Sequence, residues 1–150
     1  GEFFYIDINE HKLSSQWYDE AGSFSDGLAA VQKDDKSFYI DKEGNEQFSE
    51  KYDFVNSFSE GLASVEKNNK YYFFDTKGSE LSSSGYDYVD DFYNGVARVR
   101  IDREWFYIDK KGNELFNQRY DVANNFSDGL ALVIKGGDYL HIDKKGRKAF

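Results

Sequence analysis

One phrase returns four times in this chain at a fixed spacing. It reads FSDGLAAV from Phe24, FSEGLASV from Phe58, FYNGVARV from Phe92 and FSDGLALV from Phe126, each 34 residues after the last. The register runs without gaps, giving whole repeats over 24–57, 58–91 and 92–125 and partial ones over 1–23 and 126–150. A constant period of this size means units that cannot bury their apolar faces alone and gain stability by stacking on their neighbours. The expectation is a single repeat domain over residues 1–150.

Helical pairs also occur at this period, but no apolar stripe at i, i+3, i+4, i+7 persists here. Instead GLAAV (Gly27–Val31) and SFYID (Ser37–Asp41) are short β-branched and aromatic runs bounded by Gly, Asp and Asn, which predicts strands joined by the polar loop QKDDK. In the first strand Ala29, Ala63, Ala97 and Ala131 share a face with Val31, Val65, Val99 and Val133 at the strand period of two, and the recurring Ala predicts close approach of a neighbouring layer. The slots on the other face, Ala30, Ser64, Arg98 and Leu132, read as largely solvent-facing.

The second strand ends in a recurrent Asp-x-x-Gly: Asp41 with Gly44, Asp75 with Gly78, Asp109 with Gly112, and Asp143 with Gly146. A carboxylate that accepts backbone N–H bonds and a Gly at positive φ build a three-residue hairpin turn with a bulge. A calcium loop needs several oxygens at alternate positions, which the intervening Lys-Glu, Thr-Lys and Lys-Lys do not supply, so no metal is expected. NEQF and NELF then read as a short third strand. Tyr-Asp follows at Tyr18, Tyr52, Tyr86 and Tyr120, and the next segment (DFVNS, DYVDD, DVANN) reads as an irregular or 3₁₀ turn.

The expected fold is all-β: an open, twisted, solenoid-like stack of antiparallel β-hairpin repeats, with a small propeller-like closed array as the alternative. Propeller blades take ~40–45 residues, longer than the period here. The phrases F-S-E/D-G-L-A-x-V, Y-I-D-K-x-G-N-E and Y-D-x-V-x-x-F together resemble the bacterial WG-containing β repeat family over essentially the whole chain. The slot of the Trp-Gly pair reads Phe3-Phe4, Ser37-Phe38, Tyr71-Tyr72, Trp105-Phe106 and Tyr139-Leu140, so only Trp105 keeps the Trp and no copy keeps the Gly. The resemblance implies a repeat module of varied bacterial proteins and no catalytic activity. KYYFFDTKG, from Lys70, also resembles the hairpins of choline- and glucan-binding repeats, whose period is shorter, at about 20 residues.

Charge narrows the partners. The net charge is −9, from 28 acidic and 19 basic residues, and such a field repels phosphate backbones and anionic lipid headgroups. Nucleic acid and membrane insertion are therefore not expected. There is no cysteine, which excludes disulfides and thiolate metal sites. The chain opens inside the strand-like GEFFYID, which suggests a piece of a longer protein, with an extracellular or cell-envelope setting favoured over the cytoplasm.

Catalytic parts are missing from the sequence. His11 and His141 lie at opposite ends, and His141 fills the slot of Tyr39, Phe73 and Tyr107. The carboxylate neighbours Asp34-Asp35, Asp90-Asp91 and Asp19-Glu20 sit at adjacent positions, which on a strand point to opposite faces. No enzyme activity and no cofactor are expected. What remains is the aromatic load, 19% of all residues.

On the second strand one face carries Phe4, Phe38, Tyr72, Phe106 and Leu140, with Ile6, Ile40, Phe74, Ile108 and Ile142. The other carries Phe3, Ser37, Tyr71, Trp105 and Tyr139, with Tyr5, Tyr39, Phe73, Tyr107 and His141. Core packing is the commoner use of such rings, and an amphipathic Tyr/Trp row also suits a contact platform. Tyr71, Trp105, Tyr139 and Phe3 are the candidate ligand-binding residues. The expected function is a non-enzymatic module for protein–protein interaction or scaffolding, with carbohydrate binding on the aromatic ladder as the alternative.

Overall fold

The computed structural model describes residues 1–7 and 9–150. Among these there is no helix, and all regular structure is antiparallel β. Strands β1 (Glu20–Ala21), β2 (Ala29–Lys33), β3 (Lys36–Ile40) and β4 (Glu46–Tyr52) form the first sheet in that order. The second holds β5 (Phe54–Val55), β6 (Leu62–Lys67) and β7 (Lys70–Asp75). The third holds β8 (Tyr88–Val89), β9 (Val96–Ile101) and β10 (Glu104–Asp109), and the fourth β11 (Val122–Ala123), β12 (Leu130–Lys135) and β13 (Asp138–Asp143). None of these sheets closes into a barrel, and each is a repeated antiparallel hairpin unit, as the period predicts. The first two sheets lie in one compact unit (Gly1–Ser83) and the last two in another (Ser84–Phe150).

Three kinds of turn make each sheet. The repeated phrase is itself a turn: Ser25 and Leu28 exchange two backbone bonds across Asp26 and Gly27, whose φ of 51° and 85° define a type I′ hairpin. The stretch expected as a five-residue loop is a second tight hairpin. Gln32, Lys33 and Lys36 extend the strands, and only Asp34 and Asp35, at φ 52° and 59°, turn the chain. The third turn follows expectation. Asp41 accepts Glu43 N–H at 3.0 Å and Asn45 N–H at 2.8 Å through Oδ1, while Gly44 sits at φ 84° and donates to Asp41 O.

Two sequence expectations need correction. The segment after Tyr-Asp is no irregular turn but a two-residue strand: Phe54 pairs with Glu66 and Val55 with Val65, and Tyr88–Val89 and Val122–Ala123 do the same. The conserved spacing has a cause, because the preceding Asp caps the next hairpin. Asp19, Asp53, Asp87 and Asp121 accept the N–H of Asp34, Asn68, Asp102 and Gly136 through Oδ2 at 2.7–3.2 Å. The third strand is full length only as β4; elsewhere it shrinks to isolated bridges such as Phe74–Glu80 and Ile108–Glu114.

Cores lie between successive sheets within each unit. Tyr39 of the first sheet packs with Val55, Ala63 and Val65 of the second, and Tyr107 of the third with Ala123, Ala131, Val133 and Ile142 of the fourth. Ala at the facing position lets the layers approach, as the sequence implies. Tyr39 and Tyr107 donate their hydroxyls across this gap to Asn56 O and Asn124 O at 2.6 and 2.5 Å, and Tyr5 does so to Gly22 O. Burial pushes the Tyr5 hydroxyl up to about 12 and raises that of Tyr107 further. Tyr39, Tyr107 and Phe73 in the same register are core residues and not a platform, and Tyr5 is half-buried against the core.

Candidate functional site

The four predicted contact residues occupy one slot at the hairpin end of the second strand, with different exposures. Phe3 and Tyr139 are 50% and 72% exposed, whereas Tyr71 and Trp105 are half-buried. No ring contact joins Trp105 to Tyr139 within their unit, so the row presents separate rings there and not a stacked ladder. Trp105 sits in a built environment.

That environment is the third sheet. Trp105 lies opposite Arg100 on β9, which lies opposite Tyr88 on β8, so the three share one cross-strand row. Tyr88 meets the indole edge-on at 5.3 Å between centroids. The guanidinium of Arg100 stands 5.2 Å from the Trp105 ring and 5.9 Å from Tyr88. In the next row Arg98 lies 4.5 Å over Trp105, gives Asp90 a two-pronged ion pair through Nε and Nη2 at 2.7 and 2.6 Å, and donates Nη1 to Ala123 O. Tyr88 closes the network by donating to the other Asp90 oxygen at 3.1 Å. The Asp90 carboxylate, with burial second, raises the Tyr88 hydroxyl above its ordinary value.

The two arginines differ in what holds them. Arg98 is committed on every side, with a side chain only 17% exposed. Arg100 has two aromatic rings beneath it and no carboxylate within ion-pair reach among the described residues. The sequence reading missed Tyr88, Asp90, Arg98 and Arg100. It placed Arg98 among solvent-facing slots, yet Ser64 in that slot is buried and accepts a bond from Asn56 Nδ2. The available signal was departure from the repeat. Arg98 replaces Ala30, Ser64 and Leu132; Asp90 replaces Asn56 and Asn124; Arg100 replaces Gln32, Glu66 and Ile134; Trp105 replaces Ser37, Tyr71 and Tyr139. Four unrelated slots change together, and all four converge on one surface of one sheet.

In the first unit, an open cleft of about 600 Å³ runs between β4 and the second sheet. Phe48, Tyr52, Tyr72 and Phe74 form its aromatic wall, and Glu50, Lys67, Lys77 and Glu80 its charged rim. No group of His and carboxylates that could hold a metal occurs among the described residues.

The profile of the WG containing repeat matches residues 18–36, 38–71, 73–105 and 105–139. The chain belongs to this family. No match was found among curated proteins. Two solved structures are similar at low identity. One, described as KlHsv2 with loop 6CD replaced by a Gly-Ser linker, gives a TM-score of 0.46 at 10% identity over 86% of this chain and 51% of that one. The other is a protein of unknown function from Bacteroides caccae, with a TM-score of 0.39 at 12% identity over 99% of this chain and 73% of that one. The chain thus spans about half the length of the first of these.

Proposed function

We propose that this WG repeat chain is a non-enzymatic protein-binding module whose contact patch is centred on Trp105. The observation that carries this reading is the convergence of Tyr88, Asp90, Arg98, Arg100 and Trp105 on one sheet, each in a slot where the other repeats carry something else. Trp, Tyr and Arg are the residues that dominate protein–protein hot spots, because they combine large contact area with fixed polar geometry. Arg98 and Tyr88 hold the indole in place, so little ordering remains for the partner to impose. Arg100 is the group left to meet a partner's carboxylate or carbonyl.

The carbohydrate alternative fits this patch less well. A sugar stacks on an open ring face, and two guanidinium groups already stand over the Trp105 ring at 4.5 and 5.2 Å. The deciding experiment compares wild type, Arg100→Ala and Trp105→Ala by affinity capture from the native host, by glycan array and by thermal melting. The expected result is a discrete protein retained by wild type and lost from Arg100→Ala at an unchanged melting temperature. Retention by both variants, or binding to the array without a protein partner, refutes it.

A further inference from the structure

The repeated phrase does more than turn the chain. In the first unit the turn at Asp26-Gly27 is fastened to the phrase turn one repeat on. Ser25 donates Oγ to Phe58 O at 2.7 Å, and Asp26 accepts the Gly61 N–H through Oδ2 at 2.8 Å. A hydroxyl and the carboxylate beside it thus satisfy a carbonyl and an N–H of the next turn, and the bond to the carboxylate is charge-assisted. The pair recurs in sequence as Ser25-Asp26, Ser59-Glu60 and Ser127-Asp128, and the copy from Phe92 alone replaces it, with Tyr93-Asn94.

Within the second unit this replacement leaves the last turn unfastened. The backbone is kept: Asn94 and Asp26 both have φ 51°, and Tyr93 exchanges backbone bonds with Val96 as Ser25 does with Leu28. The Tyr93 side chain stands 72% exposed instead of reaching the next turn. Among the described residues no hydrogen bond reaches Phe126 O or the Gly129 N–H, the groups equivalent to Phe58 O and the Gly61 N–H. Residues of both turns line an opening of about 340 Å³, Tyr93 and Asn94 from one, Phe126 and Gly129 from the other, with Lys144 beside them. That is the size of a small ligand site. Phe58 is 3% exposed, whereas Phe126 is half-buried.

We infer that this opening is a binding site for a segment of a partner protein in which a serine or threonine is followed by an aspartate or glutamate. The hydroxyl donates to Phe126 O and the carboxylate accepts the Gly129 N–H, as Ser25 and Asp26 serve Phe58 and Gly61 in the first unit. Two adjacent residues of a polypeptide fill the equivalent place there, so the spacing of the two backbone groups suits a peptide better than a sugar. Lys144 is the one cation and Asp128 the one carboxylate lining the opening, so its charge is locally balanced where the whole chain carries −9, and an acidic segment is admitted. The exposed Tyr93 ring gives the residues flanking the pair an apolar face to lie on. The inference rests on the protein-binding reading for its class of partner, and its site uses neither Trp105 nor Arg100.

The test uses the full 150-residue chain and NMR titration with acetyl-Phe-Ser-Asp-Gly-Leu-amide, the same peptide with Ala-Asn in place of Ser-Asp, and glucuronate. Saturable shifts at the Gly129 amide and the Tyr93 ring are expected with the first peptide. The second should bind about tenfold more weakly or worse, the size expected for losing one charge-assisted bond. Tyr93→Ser combined with Asn94→Asp, which rebuilds the first-unit arrangement inside the second unit, should abolish peptide binding, slow hydrogen exchange at Gly129 and hold or raise the melting temperature. Lys144→Gln should weaken the peptide, and it decides alone if the double variant folds poorly. Equal binding of the two peptides, a response to glucuronate instead, or peptide binding untouched by either variant would each overturn the inference. Arg100→Ala should leave peptide binding intact, and its loss there would overturn the separate site. No peptide binding together with partner capture lost in Arg100→Ala would remove this site and leave the Trp105 patch standing; peptide binding with capture indifferent to Arg100→Ala would do the reverse.

Discussion

Two glycines in one unit separate two costs that usually arrive together. Gly61 and Gly78 have nearly the same backbone, at φ 83° and 82°, a region where an L side chain is strained. Their surroundings differ. A Cβ on Gly61 meets nothing within 4 Å, whereas a Cβ on Gly78 falls 2.5 Å from Cδ1 of Phe48, 3.0 Å from its Cε1 and 3.3 Å from its Cγ. Gly61→Ala should therefore cost roughly 1–2 kcal/mol from conformation alone. Gly78→Ala carries that cost plus overpacking against an aromatic ring, for which roughly 1–3 kcal/mol more is expected.

The same geometry prescribes the control. Phe48→Ala removes the clashing ring, so in that background Gly78→Ala should fall back to the cost of Gly61→Ala, a coupling of roughly 1–3 kcal/mol in a double-mutant cycle. Urea unfolding at matched protein concentration reads the wild type and the four variants, with midpoints compared at constant slope. Equal costs at the two glycines, or strict additivity of Gly78→Ala with Phe48→Ala, would refute the account of this turn as a seat for the preceding strand.

Other outcomes follow from the same contacts. Trp105→Ala should cost less than the ~3–5 kcal/mol of a fully buried aromatic, since Trp105 is half-buried, and a melt unchanged from wild type or full unfolding would each contradict its placement. Tyr39→Phe leaves Asn56 O without its 2.6 Å donor, a loss of about 1–2 kcal/mol in urea. Asp121→Ala frees the Gly136 N–H held at 2.7 Å and should lower stability by about 1 kcal/mol, as loss of a capping carboxylate does. The turn acids set the acid limit. Arg147 and backbone N–H bonds hold Asp143 down to about 2, and backbone N–H bonds from the turn lower Asp41. A depressed carboxyl adds stability above its unfolded value near 3.9 and loses it as pH falls toward the folded one. The melting temperature should therefore drop between about pH 4 and 2, and Asp143→Asn should flatten that drop.

Most of the fold was legible because each repeat restates the same local physics. Alternating apolar slots gave the strands, Asp-x-x-Gly gave the bulged turn, and the recurring Ala gave the face on which layers meet. The failures share one origin. Asp34-Asp35, Asn68-Asn69 and Asp102-Arg103 all adopt positive φ without the Asn-Gly or Asp-Gly pair that normally announces a type I′ turn. What stabilises them comes from fifteen residues upstream, where the Asp of Tyr-Asp accepts a turn N–H in every copy. A carboxylate acting across that distance leaves no signature in a window of strand length, so the loop looked longer and the short strand beside it was invisible.

The site was less legible for a different reason. Repetition emphasises what all copies share, and what they share here is architecture: turns, caps and the Ala and Val faces on which layers meet. The proposed contact patch is built from the exceptions. Arg98 looked like one more variable surface residue because its slot also accepts Ala30 and Leu132, yet among the described residues it alone joins Asp90, Trp105 and a carbonyl of the next sheet. That exception adds a cationic ring stack to one sheet. In a chain whose period supplies the scaffold, the protein-binding reading proposed above therefore rests on slots where one copy departs from the rest.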